Sequence, residues 1–188
     1  MNGSDLKKEF GDYQTPDSFA EIVCNLLRDK LNVTPHIVIE PTSGVGNFLN
    51  AALNSFDTID GAIGLEINPA YCNKCKKRII DERLQVINDN FFTYQIEKYI
   101  GEKETLFLGN PPWATNSELN FNIPEKENFK KLSGTDAITG ASNFDICEYI
   151  ILKLIEKSLN KRVEIAMLCK TSVARNVLLE LDRNDTCI

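Results

Sequence analysis

The chain has 188 residues, 43% of them hydrophobic and 26% charged, and a formal net charge of −6. That is the composition of an ordinary globular protein with enough chain for one domain and a sizeable core. The acidity argues against a chain that coats nucleic acid by charge alone, no apolar run nears the roughly 20 residues needed to span a bilayer, and the polar start MNGSDLKKEF has no signal-peptide core, so a cytoplasmic location is expected.

Thr15-Pro16-Asp17 predicts a helix start, with Thr as N-cap, Pro at the first helical position and an acid in the first turn. Behind it Phe19, Ile22, Val23, Leu26, Leu27 and Leu31 recur at helical spacing. His36 to Glu40 reads as a short buried strand, Thr42 to Gly46 as a tight glycine turn, and Asn47 to Asn54 as helix. The pattern repeats with a strand at Ala62–Glu66 and a helix from about Pro69 to Arg78. A third strand, Leu84–Ile87, ends in Asn88-Asp89-Asn90-Phe91-Phe92, and a fourth, Thr105–Leu108, leads into Gly109-Asn110-Pro111-Pro112-Trp113. A long polar stretch, 114–142, follows; its position after the most distinctive motif predicts a mobile lid. An amphipathic helix is expected from about Asn143 to Leu159, with Ser142 and Asp145 fitting a capping box, and a fifth strand at Glu164–Cys169.

Strands alternating with helices predict a parallel α/β sheet, in which ligands bind beyond the carboxyl ends of the strands. Four strand ends carry polar or special residues: Glu40 with its glycines, Glu66, Asp89/Asn90, and Asn110 to Trp113. The cysteines do not compete for that role. Cys24, Cys147 and Cys169 sit in apolar stretches, and Cys72-x-x-Cys75 has no second pair and only one His in the chain, so reduced thiols and no metal are expected.

The glycine turn after a strand, with Glu66 downstream, is compatible with a dinucleotide. Two features oppose it. Leu49 stands at the third glycine position, and Glu40 would repel a pyrophosphate at the helix N-terminus. A cationic ligand without phosphate suits Glu40 better. S-adenosylmethionine is one: Glu40 would hold its cationic methionyl end, Glu66 both ribose hydroxyls, Asp89 or Asn90 the adenine amine, and Phe91 or Ile67 the ring. At the fourth strand end, Asn110 Oδ1 and the Pro111 carbonyl form a pair of acceptors for the N–H groups of an aromatic exocyclic amine. Such acceptors favour the pyramidal amine that resembles the transition state for attack. Pro111 and Pro112 stiffen the backbone there, and the Trp113 face can stack a base for about 1–3 kcal/mol.

Asn110-Pro-Pro-Trp113 resembles the catalytic tetrapeptide of amino-methyltransferases, which mostly end in Tyr or Phe. Glu40-Pro41-Thr42-Ser43-Gly44-Val45-Gly46-Asn47-Phe48 resembles the methyl-donor loop of adenine-specific DNA methyltransferases. Gly11-Asp-Tyr13-Gln-Thr15-Pro16 resembles their N-terminal donor-binding motif, and this order of motifs resembles the gamma class, the restriction–modification type. The resemblance runs from about residue 11 to residue 175. It implies a Rossmann-like class I methyltransferase sheet, mostly parallel, with helices on both faces. It further implies S-adenosylmethionine as methyl donor, a flipped adenine as acceptor, and N6 methylation of DNA alongside a restriction endonuclease. Two departures stand out. Asn90 occupies the place where the family carries an acid before its aromatics, with Asp89 one residue early. The family's last two strands and target-recognition domain also find no match, so a truncated catalytic core is expected. Glutamine or RNA-base methylation, and an inactive donor- or nucleotide-binding fragment, are the alternatives.

Overall fold

The structure is a computed structural model, described here over residues 14–113 and 145–183. It divides into two compact units. The first joins Gln14–Asn110 to Asn160–Met167 and holds the whole sheet. The described part of the second holds two helices, α4 (Ile146–Ser158) and α5 (Thr171–Arg183).

In the sheet unit, helix α1 (Asp17–Leu31) precedes strand β1 (Ile37–Glu40), helix α2 (Asn47–Ser55), β2 (Gly61–Glu66), α3 (Pro69–Arg78), β3 (Leu84–Asn88), a 3-10 turn (Ile96–Tyr99), β4 (Thr105–Gly109) and, after the second unit's α4, β5 (Val163–Met167). The order across the sheet is β3-β2-β1-β4-β5, and every pairing is parallel. Strand direction of growth therefore reverses between β1 and β4, the switch point at which open α/β sheets bind ligands. Buried strands read as unbroken apolar runs in such sheets. Val38, Ile39, Leu65, Leu106, Phe107 and Leu108 are fully buried here, and α2, with Phe48 and Leu49 also buried, packs on β1 and β2.

The expected strands and the helix at Pro69–Arg78 are present, and Asn68 caps the latter by accepting the Ala70 N–H at 2.9 Å. Four expectations are corrected. Thr15 is not the N-cap of α1: Pro16 holds that place without a side-chain cap. The apolar residues of α1 split between two faces, with Ala20, Cys24 and Leu27 buried while Phe19, Ile22, Leu26 and Leu31 are exposed. The small residues Ala20 and Cys24 take the inward face together with Leu27, and α1 packs closely on α2. Helix α4 starts later than expected, with Asp145 itself as N-cap accepting from Cys147 N–H at 3.0 Å; Ser142 lies outside the described residues. Helix α5 was not expected at all. Within the second unit, Asn176 of α5 donates to Glu148 of α4 at 2.8 Å, and Lys170 meets Asp145 at 3.2 Å. The stretch expected to form a lid also lies outside the described residues. Among the described residues no helix is long and apolar enough to cross a membrane, and no three His, Cys, Asp or Glu side chains gather as a metal site requires.

Candidate active site at the switch point

Glu40 closes β1 and is 4% exposed. Its burial pushes the carboxyl pKa well up, opposed by the Leu49 N–H and reinforced by the nearby Glu66 charge. Leu49 belongs to the first turn of α2, whose N–H groups have no helical partner and so are free to donate. That leaves Glu40 Oε2 buried with no hydrogen-bond partner. Gly109, at the end of β4, makes room for this side chain: a Cβ built there would lie 3.3 Å from Glu40 Cγ.

The turn from β1 to α2 is held by protein contacts. Gly44 has φ +53° and Gly46 φ +81°, both left-handed and hence suited to glycine. A Cβ on Gly44 would lie 2.7 Å from Gln14 Oε1, and one on Gly46 would run into Cys75 Sγ and lie 3.0 Å from Ile79 Cδ1. Both glycines are thus required by backbone conformation and by packing within the protein. Leu49, at the position of the missing third glycine, is accommodated from the other side: a Cβ on Gly64 of β2 would lie 2.7 Å from Leu49 Cδ1. The close helix–strand approach is therefore present, with the glycine moved from the helix to the strand.

Glu66 ends β2 and braces the turn. Its Oε2 accepts the Gly44 N–H and its Oε1 the Asn68 N–H, each at 2.7 Å. Ser43 N–H donates to Leu65 O at 2.7 Å, while Thr42 Oγ1 and Ser43 Oγ are buried without partners. Pro41 and Phe48 are buried beside them.

Beyond β3, Asp89 is exposed and its Oδ1 accepts the Asn90 N–H at 2.7 Å; Asn90 Oδ1 accepts the Phe92 N–H at 3.0 Å. Asn90 thus shapes the turn, and the carboxylate that faces outward is that of Asp89. Phe91 is buried, whereas Ile67 is 46% exposed, an unusual placement for an aliphatic side chain at a strand end. Asn88 Nδ2 donates to the carbonyls of Glu66 and Ile67 at 2.8 and 2.9 Å, fixing the end of β2.

Asn110 follows β4 directly. Its Nδ2 donates to Thr15 Oγ1 at 3.2 Å, and its Oδ1 is buried with no partner. Thr15 is thus turned toward Asn110, away from the helix terminus, and its carbonyl accepts from Asn47 Nδ2. Asn47 Oδ1 in turn accepts from Arg78, which also meets Asp17 at 2.5 Å. Pro111, buried, Pro112, half-buried, and Trp113, 42% exposed, continue the chain into the second unit. Tyr13 lies outside the described residues. The structure brings Thr15, Glu40, Thr42, Ser43, Gly44, Gly46, Glu66 and Asn110 together at the carboxyl ends of β1, β2 and β4. Gln14, Asn47, Asn88 and Gly109, which the sequence motifs contain without a role of their own, and Gly64, which they do not contain, lie beside that set; the signal available was their adjacency to strand ends and to the glycine turn.

No family model matches the chain. It is 43% identical over 186 residues to the Type II methyltransferase M.NspV of Nostoc sp., an alignment that takes in 94% of this chain and 38% of that protein's length. Solved structures with the same fold include a candidate RNA methyltransferase from Pyrococcus horikoshii (TM-score 0.53, 13% identity, 90% of this chain and 68% of that one). A modification subunit of a candidate type I restriction enzyme from Vibrio vulnificus follows (TM-score 0.52, 15% identity, 91% and 38%). A SAM-dependent O-methyltransferase from Thermotoga maritima also superposes (TM-score 0.51, 10% identity, 92% and 51%). By sequence the chain is similar to a Type II methyltransferase, of which it spans about two fifths, and its sheet has the Rossmann-like fold of these solved structures.

Proposed function

We propose that this chain carries the catalytic core of a DNA adenine-N6 methyltransferase of the restriction–modification type, with S-adenosylmethionine as donor. The observation that carries this reading is the set of buried side-chain oxygens left without partners at the switch point: Glu40 Oε2, Thr42 Oγ1, Ser43 Oγ and Asn110 Oδ1. Buried polar atoms are nearly always satisfied, so such a group calls for a ligand with complementary polar atoms. The residues fit this donor. Glu40 would hold its cationic methionyl end, the Thr42 and Ser43 hydroxyls could donate to its carboxylate, and the Glu66 carboxylate would accept from the ribose hydroxyls. The exposed Asp89 carboxylate, or Asn90, takes the adenine amine, with Ile67 or Phe91 against the ring. A pyrophosphate would meet the buried Glu40 instead, which disfavours a dinucleotide.

When bound, the donor supplies an electrophilic methyl group on a sulfonium. The chain's own task is to prepare the acceptor. Asn110 Oδ1 and the Pro111 carbonyl accept from the two N–H groups of the target amine, localising its lone pair for attack. Trp113 offers a face for the flipped base. The Asn110 amide is held by Thr15 at 3.2 Å, and the proline rings restrain the backbone that follows, so little reorganisation would be needed at the moment of transfer. DNA as the acceptor, a partner endonuclease and action in the cytoplasm belong to the same proposal; the motif resemblance and the 43% identity to a Type II methyltransferase support it.

Calorimetry with S-adenosylmethionine and with NAD, followed by transfer of labelled methyl to DNA, RNA and protein, tests it. Donor binding and N6-methyladenine in digested DNA are expected. Binding of NAD alone would sink the donor assignment, and label on glutamine or an RNA base would sink the acceptor assignment. Asn110→Ala should keep donor affinity and lose transfer.

A further inference from the structure

We propose that Thr15 is the positioning residue of this site, fixing the orientation of the Asn110 amide while itself being held by the glycine turn. The inference rests on the reading of Asn110 as the acceptor for the target amine. An Asn amide rotates about a broad two-fold torsion, and its two ends are opposite in chemistry: one oxygen accepts, one nitrogen donates. Turned the wrong way, Asn110 would present N–H to N–H and repel the amine it should bind. In the structure the nitrogen end is engaged, since Nδ2 donates to Thr15 Oγ1 at 3.2 Å. The oxygen end is what remains, buried and unpartnered.

Thr15 can act as a reference point because its backbone is tied down independently. Its carbonyl accepts from Asn47 Nδ2, and Asn47 is the first residue of α2, directly after Gly46. Arg78 at the end of α3 holds Asn47 Oδ1 and pairs with Asp17 at 2.5 Å, two residues after Thr15. The same residue therefore touches the donor loop through its main chain and the acceptor amide through its side chain. This explains why Thr15 is buried just ahead of α1 without capping that helix.

The test uses the whole chain with Asn side chains labelled in nitrogen-15. In the parent, the Asn110 side-chain amide protons should exchange slowly with water. Thr15→Val keeps the shape but removes the acceptor, and should speed that exchange about tenfold or more while shifting donor affinity less than about twofold. Thr15→Ser, which keeps the hydroxyl, should restore the protection. Asn47→Ala, which releases the Thr15 carbonyl and Arg78 but leaves the hydroxyl, should give an intermediate loss. In methyl transfer, Thr15→Val should lower kcat by about 10- to 100-fold with KM for the donor little changed, the cost of misplacing one reacting group. Unaltered Asn110 protection in Thr15→Val, or donor affinity lost in step with kcat, would overturn the inference. Because protection is read without turnover, failure of the function reading shows separately: Asn110→Ala would then transfer methyl at the parental rate.

Discussion

Gly46→Ala tests whether the donor-loop glycine exists for packing within the protein or for access by a ligand. Two costs add. Gly46 has φ +81°, and an L-residue held in left-handed backbone costs about 1–2 kcal/mol. The added methyl would also run into Cys75 Sγ and lie 3.0 Å from Ile79 Cδ1, both buried side chains of the α3 region. Overpacking of this kind costs about 1–3 kcal/mol. The sum, about 2–5 kcal/mol, is a large share of a normal folding free energy and should lower Tm by roughly 4–20 °C in a chain of this size. Cys75→Ala removes the atom in the worst contact but leaves the backbone strain. The double variant should therefore recover about 1–2 kcal/mol relative to the sum of the single changes. Urea melts of the four proteins at one pH give the cycle. A cost for Gly46→Ala below about 1 kcal/mol, or additivity within about 0.5 kcal/mol, would refute the packing account. Full stability combined with lost donor affinity would return the glycine to the ligand.

Glu66→Gln should destabilise the β1–α2 turn by about 1–3 kcal/mol and weaken donor binding together, because an amide cannot accept from both Gly44 and Asn68 with two oxygens; an unchanged melting temperature would count against the brace. Burial raises the Glu40 pKa, so the folded chain keeps a proton that the unfolded chain has released. Its contribution to stability is present below the unfolded carboxyl value and is lost as pH rises through the folded one. Glu40→Gln should flatten that part of the stability–pH curve, and a curve of the same slope would refute the assignment. Donor binding to Glu40 should also release a proton, seen as a buffer-dependent heat. Arg83, bonded through two nitrogens to Asp81 at 2.9 and 2.7 Å, holds the Asp81 carboxyl down at about 2. The stability this gives is present above the unfolded carboxyl value and is lost as pH falls toward about 2, so Asp81→Asn should melt with less dependence on pH over that acid range.

The sheet was legible because each buried strand is an apolar run closed by a polar residue at its carboxyl end, from Glu40 and Glu66 to Asn110. Periodicity failed on α1, where Phe19, Ile22 and Leu26 are as regular as Ala20, Cys24 and Leu27 but face outward. Helical spacing identifies a face, and only packing distance decides that the one carrying Ala20 and Cys24 is the inner one. Thr15 was misread for a related reason. A Thr before Pro at a helix start has a local use as a cap, and its partner Asn110 lies far along the chain, where no local pattern reaches. Leu49 shows the same limit in reverse: the glycine that admits it is Gly64, on another element. At the end of β3, Asn88 and Asn90 are spent on backbone contacts, and spacing alone does not separate them from Asp89.

The sheet order also sets the sequence in which the site is assembled. Glu40, the glycine turn and Glu66 belong to one β-α-β unit whose strands pair between Ile37 and Gly61, close neighbours along the chain. Asn110 joins them only when β4 pairs with β1, Ile37 against Thr105, after β2 and β3 have already left the chain's growing end. Contacts between distant residues form late because loop closure must precede them. A nascent chain thus completes the donor cradle before the acceptor amide reaches it, and the pairing of β4 with β1 is the one that places Asn110 beside Thr15.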